Sequence, residues 1–383
     1  MQTRPVNISY VAVSLAVGGA ETQLVRLING LDRDRFKPSL ICIGGGAELQ
    51  GALAGDVAVI RPAGARSAAQ NGQGRIAAGR RAMSTLAAGL RRQKPEVVHA
   101  YLPAAYVPAA LAAWSLRVPV IVAGRRGFTS GGMYDTAWWR TLAGLANRVI
   151  DVQICNSNAV REAAVVGERV KRDRTRVIYN GIDLPALNRV APPPEMASVD
   201  PQAVMVANFI PYKGHVHVLQ AVARVVRERP LFRLVLIGDG PQRSKLEQLA
   251  AELRLGDQIV FAGQRRDAAE LVDGFDFSIL GSSEESFPNA LMESMAVAVP
   301  VISTRVGGVA ELVQDRVHGL LVPFGDVQAM GEAITWMIDH PGERRQMGAA
   351  GRKRIAAEFS TERMVTATEA VYDESFSNQL GRR

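Results

Sequence analysis

From Ser282 to Glu293 the chain reads Ser-Ser-Glu-Glu-Ser-Phe-Pro-Asn-Ala-Leu-Met-Glu, which sets two carboxylates, Glu285 and Glu293, on either side of a Pro-Asn pair. An apolar run ends at Leu280 and another spans Pro300 to Ser303, so the segment reads as strand, polar loop, short helix, strand. Such a loop brings Glu285 to the carboxyl end of a parallel strand, and a helix beginning at Asn289 puts Glu293 about one turn in. The first amides of that helix, at Asn289, Ala290 and Leu291 behind Phe287 and Pro288, join the positive end of its dipole in an anion site. An anion site flanked by carboxylates suits a ligand carrying both phosphates and hydroxyls, as a nucleotide-sugar does. Two glutamates at this spacing mean little alone; the string around them carries the information.

Other residues have chemistry to offer at comparable places. Lys213, in Pro211-Tyr-Lys-Gly-His215, follows a strand and is a point charge for a phosphate. Gly238-Asp-Gly240 could pass for a dinucleotide fingerprint, but Arg243 stands where its third glycine belongs, which argues against a nicotinamide site. Gly18-Gly19 lies between a strand and a helix, where two glycines are often only a turn. His99 and Tyr101 end another strand, and a lone histidine there is more often structural than catalytic. Arg125 and Arg126 follow the strand Pro119–Ala123, where they either hold an acidic acceptor or form a solvated pair. Asp32-Arg33-Asp34 has the form of a metal-binding Asp-x-Asp but sits in a helix-to-strand loop, and His and Cys are not clustered, so no metal is expected.

These residues need a framework, and the apolar pattern supplies one. Strands are expected at Val6–Leu15, Pro38–Ile43, Val57–Arg61, Glu96–Ala100, Pro119–Ala123, Asp151–Asn156 and Thr175–Tyr179, with helices between them. The second half repeats the alternation at Ala203–Ala207, Arg233–Ile237, Ile259–Ala262, Phe275–Leu280, Val299–Ser303 and Gly319–Val322. After Asp326 the pattern is helical to the end, with a break at Pro341-Gly342. This predicts an α/β chain of two doubly wound, Rossmann-like domains facing across a cleft. The expected division is residues 1–184, a linker at 185–200 marked by Val190-Ala-Pro-Pro-Pro-Glu, a second domain at 201–360, and a C-terminal helix at 361–383 packing back toward the first domain.

Composition bounds the function. With 383 residues, 48% apolar and 21% charged, the chain is an ordinary globular one of about two domains. Cys42 and Cys155 fall inside apolar runs and read as buried thiols. No signal-peptide pattern is seen, and 100–116 reads as a buried helix interrupted by Arg117, so a cytoplasmic location is expected. The net charge of +8 is unevenly spread: residues 1–190 hold 25 Lys and Arg against 12 Asp and Glu, and the rest 20 against 25. Nucleic acid is not expected, because no binding module is recognisable; an anionic membrane surface or an acidic acceptor suits the basic half better. From Gly74 to Lys94 a basic helix intersperses small apolar residues with arginines, which fits either a membrane surface or a covering helix with a solvated face.

The strings Ser283-Glu-Glu-Ser-Phe-Pro-Asn289, Glu293-Ser-Met-Ala296, Pro300-Val-Ile-Ser-Thr304 and Gly307-Gly-Val-Ala-Glu311 together resemble the signature of the retaining GT-B glycosyltransferases of family 4. The resemblance covers nearly the whole chain and is strongest from Pro201 to Asp326. It implies that Lys213 holds the donor's phosphates, that Glu285 holds sugar hydroxyls, and that Glu293 takes the ribose hydroxyls. It also places Gly238 in the donor-side turn, Gly18-Gly19 against the diphosphate, and His99 near the sugar. Three departures stand out: Ser286 replaces a usual glycine, Tyr101 a frequent second histidine, and Asn208 the arginine five residues before the lysine, leaving Arg265 or Arg266 as the substitute cation. The implied activity is retaining transfer of a hexose-type sugar from a UDP- or GDP-sugar to a lipid-linked, saccharide or polysaccharide acceptor in cell-envelope or exopolysaccharide synthesis, without a cofactor or metal. Competing readings are a nucleotide-sugar epimerase of the same architecture, a glycoside hydrolase, and a non-catalytic sugar-nucleotide-binding protein.

Overall fold

A computed structural model of the chain describes residues 4–62, 75–129, 132–186, 201–265 and 267–380. The linker expected at 185–200, from residue 187 on, lies outside the described residues, as do Gly74 and Arg266. The chain divides into two compact units, Met1–Gly181 with Thr361–Arg383, and Ile182–Ser360.

The first unit is a seven-stranded parallel sheet. Its strands are β1 (Val6–Ala12), β2 (Phe36–Cys42), β3 (Ala58–Ile60), β4 (Val97–Tyr101), β5 (Val120–Arg125), β6 (Val152–Cys155) and β7 (Thr175–Val177), in the order β3-β2-β1-β4-β5-β6-β7. The order reverses between β1 and β4, where β1 pairs with strands on both sides. Near-continuous Val, Ile and Leu in the central strands fit a sheet covered on both faces. One face carries α1 (Gly19–Gly30) and α13 (Thr361–Leu380), whose Leu24, Leu27, Met364 and Tyr372 share a core with Ile8, Phe36 and Leu40. The other carries α2 (Arg75–Gln93), α3 (Pro103–Ser115) and α4 (Ala137–Val149), packed on Val11, Val98 and Ile121. Pro103 opens α3, where its missing N–H costs nothing, and the helix is largely buried. Among the described residues, no helix is long and apolar enough to cross a membrane. The short α5 (Asn158–Glu162) is capped by Ser157, whose hydroxyl accepts from the Val160 amide. Gln23 of α1 fixes the end of this half of the unit, donating to the Gly181 carbonyl and accepting from the Gly181 amide, both at 2.9 Å.

The second unit is a six-stranded parallel sheet. Its strands are β8 (Gln202–Val206), β9 (Arg233–Ile237), β10 (Ile259–Gly263), β11 (Phe277–Leu280), β12 (Val301–Thr304) and β13 (Gly319–Val322), in the order β10-β9-β8-β11-β12-β13. The strand order again reverses, now between β8 and β11. That ladder pairs only Phe277 with Ala203 and Ser278 with Val204, whereas β11 pairs with β12 as far as Leu280. Helices α6 (His215–Val225), α7 (Arg243–Glu252), α8 (Ala268–Leu271), α9 (Asn289–Ala296), α10 (Val309–Leu312), α11 (Val327–Asp339) and α12 (Pro341–Glu358) complete the unit.

Several expected bounds need correction, among them β2, which begins at Phe36, and β7, which ends at Val177. Strand β1 stops at Ala12 rather than Leu15, because Leu15 leaves the sheet, its amide donating to the Gly46 carbonyl. Strands β11 and β12 begin two residues late, at Phe277 and Val301, since Phe275 and Val299 pack into the core from the approaching loops. The helical tail has a second break at Phe359-Ser360, where Ser360 forms a bridge to Ile182.

Candidate active site

The chemistry gathers where β8 and β11 part. After β8 the chain passes Asn208 and turns through Pro211-Tyr212-Lys213 into Gly214. Phe209, fully buried, anchors this turn from below: its amide donates to the Asp239 carbonyl and its carbonyl accepts from the Gln242 amide. Gly214 has φ +72°, and a Cβ there would stand 1.8 Å from the Gly281 carbonyl oxygen. The loop after β8 therefore runs directly against the loop after β11, and the Ser283 amide donates to the Tyr212 carbonyl to hold them together. Gly214→Ala combines backbone strain with overlap, so we expect it to lower stability by about 1–3 kcal/mol or more, read as an earlier denaturation midpoint.

This close approach sets the central pair. Lys213 Nζ donates to Glu285 Oε1 at 2.6 Å, and Ser282 Oγ donates to the same oxygen at 2.6 Å. Glu285 is 8% exposed. Its backbone carbonyl accepts from the Gly308 amide, and Thr304 Oγ1 donates to the Ser282 carbonyl at 2.5 Å, so the end of β12 and the loop after it brace the backbone of the segment that carries the carboxylate. The helix start is where the sequence predicts it: α9 opens at Asn289 with Pro288 at its N-cap and no side chain capping it. Its first-turn amides have no partner within the helix, and Asn289, Ala290 and Glu293 remain partly exposed beside them. Partial burial and the charge of Glu285 raise the pKa of the neighbouring Glu284.

Around this centre, Gly238 takes φ +153° and a Cβ there would reach within 2.0 Å of the Ala207 carbonyl, so only glycine lets the β9 turn cross the end of β8. His215, first in α6, is buried against Phe209; burial and the Lys213 charge push its pKa down to about 4, so it is neutral at pH 7. Asn208 is exposed. Arg265 does not stand ready as a substitute cation, because its guanidinium is engaged by Asp267 at 2.7 and 2.9 Å. Phe287 is also corrected: its ring is buried against Phe359, at 5.4 Å between centroids, and shapes the loop as a core residue. Leu291 is likewise fully buried, leaving its backbone as the part that serves the helix start.

In the first unit the structure revises most of the expected side-chain roles. Gly18 precedes α1 in extended conformation, and a Cβ on it would lie 2.5 Å from Glu21 Oε2. The protein's own carboxylate thus folds over the start of α1 beside Gly18 and Gly19, and burial raises its pKa. His99 is wholly buried among Tyr10, Tyr101 and Tyr372, with Nδ1 2.7 Å from the Tyr372 hydroxyl. Burial and the Arg126 charge lower its pKa well below the usual histidine value. A base must present its nitrogen to the reacting hydroxyl, so the catalytic assignment of His99 gives way to a structural one.

Arg126 donates to Asn180 Oδ1 at 2.8 Å and to the Tyr101 hydroxyl at 3.1 Å, its guanidinium also lying over the Tyr101 ring. Arg125 is buried and donates to both oxygens of Glu168, at 2.6 and 2.8 Å, and to Gln153. Neither arginine is a solvated pair member, and Arg125, Arg126 and Tyr101 hold the first unit together rather than presenting an acceptor surface. Burial alone would raise the Glu168 pKa, but hydrogen bonds and charge from Arg125 outweigh it and hold it below the ordinary glutamate value. A depressed carboxylate contributes stability above its unfolded pKa, and that contribution is lost as pH falls through the folded value. Glu168→Gln should therefore flatten the acid limb of a Tm-against-pH curve below the ordinary glutamate pKa of about 4.3.

The sequence assigns no role to Ser282, Thr304, Glu21, Tyr372 or Glu168, although Ser282, Thr304 and Glu21 stand in or beside the strings that carry the family resemblance. Ser282 also carries a local signal, a hydroxyl three residues before Glu285 at a strand end. Cys42 and Cys155 are free and buried, and burial pushes both thiols up to about 11. Among the described residues, no group of three His, Cys, Asp or Glu could hold a metal.

Comparison with known families decides what this constellation belongs to. Residues 193–354 match the model described as "Glycosyl transferases group 1", and residues 17–185 match that of "Glycosyltransferase Family 4". The chain is a family 4 glycosyltransferase. It is 34% identical over 169 residues to the N-acetyl-alpha-D-glucosaminyl L-malate synthase of Bacillus anthracis, covering 44% of each chain. To the lipopolysaccharide core biosynthesis glycosyltransferase LpsE of Rhizobium meliloti it is 27% identical over 288 residues, covering 72% of this chain and 75% of LpsE. The fold matches the crystal structure of Anabaena HepE in complex with UDP-glucose at a TM-score of 0.80, 20% identity, and coverage of 96% and 99%. This glycosyltransferase thus has the GT-B architecture, and its Lys213–Glu285 pair lies at the topological switch point of the second doubly wound sheet, the place where ligands bind in such sheets.

Proposed function

We propose that this glycosyltransferase moves a hexose-type sugar, with retention of configuration, from a UDP- or GDP-sugar to a lipid-linked, saccharide or polysaccharide acceptor in cell-envelope or exopolysaccharide synthesis. The observation that carries the reading is the meeting of Lys213, Glu285 and the uncapped start of α9 at one switch point. Support for the donor comes from Anabaena HepE, which was crystallised with UDP and with UDP-glucose, and for the setting from LpsE, named for lipopolysaccharide core biosynthesis.

In this reading Lys213 turns from Glu285 to the donor phosphates, and the first amides of α9 add partial positive charge where the leaving diphosphate gains negative charge. No metal or other cofactor is assigned to that task. Glu285, held by Ser282, accepts from sugar hydroxyls and orients the ring, while Glu293 takes the ribose hydroxyls. The bond from the anomeric carbon to the phosphate oxygen breaks and one to the acceptor oxygen forms on the same face. The acceptor's proton passes to the departing phosphate oxygen, which removes the need for a side-chain base. NMR of the product linkage tests this: the anomeric configuration of the donor should be preserved, and an inverted linkage would remove the chain from the retaining class.

A further inference from the structure

The outer face of the α2–α4 layer has no part in the chemistry above. All three helices cover the same face of the first unit's sheet, since Leu86 and Leu90 of α2, the alanines of α3 and Trp139 of α4 lie in one buried cluster. Leu86 and Leu90 of α2 go into that core, and the described outward side of the helix carries its arginines together with Met83. Arg80, Arg81, Arg91 and Arg92 on α2 and Arg140 and Arg148 on α4 are exposed. Between residues 75 and 149 the chain has 11 Lys and Arg, two of them the buried Arg125 and Arg126, against two acidic residues, Glu96 and Asp135. Both acids face an arginine, Glu96 at 3.0 Å from Arg4 and Asp135 at 3.6 Å from Arg140.

On the same layer Trp114 is 63% and Trp138 56% exposed, with Met83 and Leu145 also outward. Trp138 and Leu145 are seven residues apart on α4 and therefore share one side of it, with Arg148 a further turn along. A folded partner would be expected to receive such indoles in a contiguous apolar patch or pocket. Here Trp114 and Trp138 lie on two different helices of a layer that also exposes Arg80, Arg81, Arg91, Arg92, Arg140 and Arg148, an arrangement suited to a fluid surface that is negative outside and apolar just beneath. Tryptophan settles at the headgroup level of a bilayer, and arginine pairs with lipid phosphate.

We propose that this face rests on an anionic lipid bilayer, with Trp114 and Trp138 in the headgroup layer and the exposed arginines against lipid phosphates. The proposal deepens the functional reading and rests on it only for its purpose, the delivery of a lipid-linked acceptor.

The chain carries its own reporter, since Trp139 is buried and Trp114 and Trp138 are two of the four tryptophans. The full chain is floated with phosphatidylcholine vesicles, with and without phosphatidylglycerol, while tryptophan emission is recorded. Expected are binding only to phosphatidylglycerol vesicles, a blue shift on binding, and weakening with added salt. Trp114→Ser with Trp138→Ser should abolish the blue shift, and Arg91→Ser with Arg92→Ser should weaken binding roughly tenfold. No binding to anionic vesicles, or binding that leaves emission and both double variants unchanged, would overturn the proposal. So would a dimer in light scattering that the tryptophan variants dissolve while vesicle binding is absent, which would give this face to a second copy. Thermal stabilisation by UDP, measured on every variant, keeps the two readings apart: its loss in the unsubstituted chain counts against the donor site alone.

Discussion

Glu285→Gln should lower turnover by roughly 10²- to 10³-fold while leaving the melting temperature within a few degrees of the unsubstituted chain. The substitution is nearly isosteric, and the amide oxygen can still accept from Ser282 Oγ and Lys213 Nζ, which both meet Oε1 at 2.6 Å. The loop after β11 therefore keeps its shape. What changes is the charge and the acceptor strength offered to sugar hydroxyls. Because Lys213 is no longer held by a carboxylate, UDP should bind at least as well as before. The expected signature is a fall in kcat with little rise in the dissociation constant of UDP, measured by UDP release and by calorimetry. Turnover within a few-fold of normal would remove Glu285 from the site.

Lys213→Ala should fail in the opposite pattern. The side chain is the cation paired with Glu285, four residues before α9 opens, and its removal takes away leaving-group stabilisation, at a cost of about 10²- to 10³-fold in turnover. UDP affinity should fall with it, since Arg265 is engaged by Asp267 and Asn208 carries no charge. The variant also leaves the mostly buried Glu285 carboxylate with Ser282 but without its ion partner, a loss of about 1–3 kcal/mol in stability. The two substitutions thus separate orientation of the sugar from retention of the diphosphate. A variant that keeps both affinity and turnover would refute the role given to Lys213.

The sequence made the framework legible because alternation of apolar runs with helical periodicity is a local signal. It located each of the thirteen strands within a few residues, and it put the start of α9 at Asn289. The pairing of Lys213 with Glu285 was not legible, although both were singled out, because 72 residues separate them and contacts between distant loops, Gly214 against the Gly281 carbonyl and the Ser283 amide on the Tyr212 carbonyl, bring them together. Arg125 and Arg126 show the same limit from the other side. Their position after a strand suggested a ligand surface, but the partners that decide their role, Glu168 and Asn180, come 43 and 54 residues later. His99 was misplaced for the same reason, its covering tyrosine lying 273 residues away on α13. Local pattern fixes where a side chain leaves the sheet; the burial it meets there depends on segments that no local window contains.

The membership of α13 in the first unit has a consequence for how the protein is made. Tyr372 reaches both the Tyr10 hydroxyl at 2.9 Å and His99 at 2.7 Å, so the helix closes a core that the first 181 residues leave open. On the ribosome those residues emerge first, and the rest of the chain up to Ser360 must be synthesised before Thr361 appears, a delay of roughly 10–40 s at bacterial and eukaryotic elongation rates. Throughout that interval Ile8, Phe36 and Leu40 lack part of their cover, whereas the second unit, continuous in sequence, can complete itself as it emerges. The N-terminal half is thus the last to be finished, and the nascent chain passes its most aggregation-prone period with the sheet that leaves the ribosome earliest still awaiting its final helix.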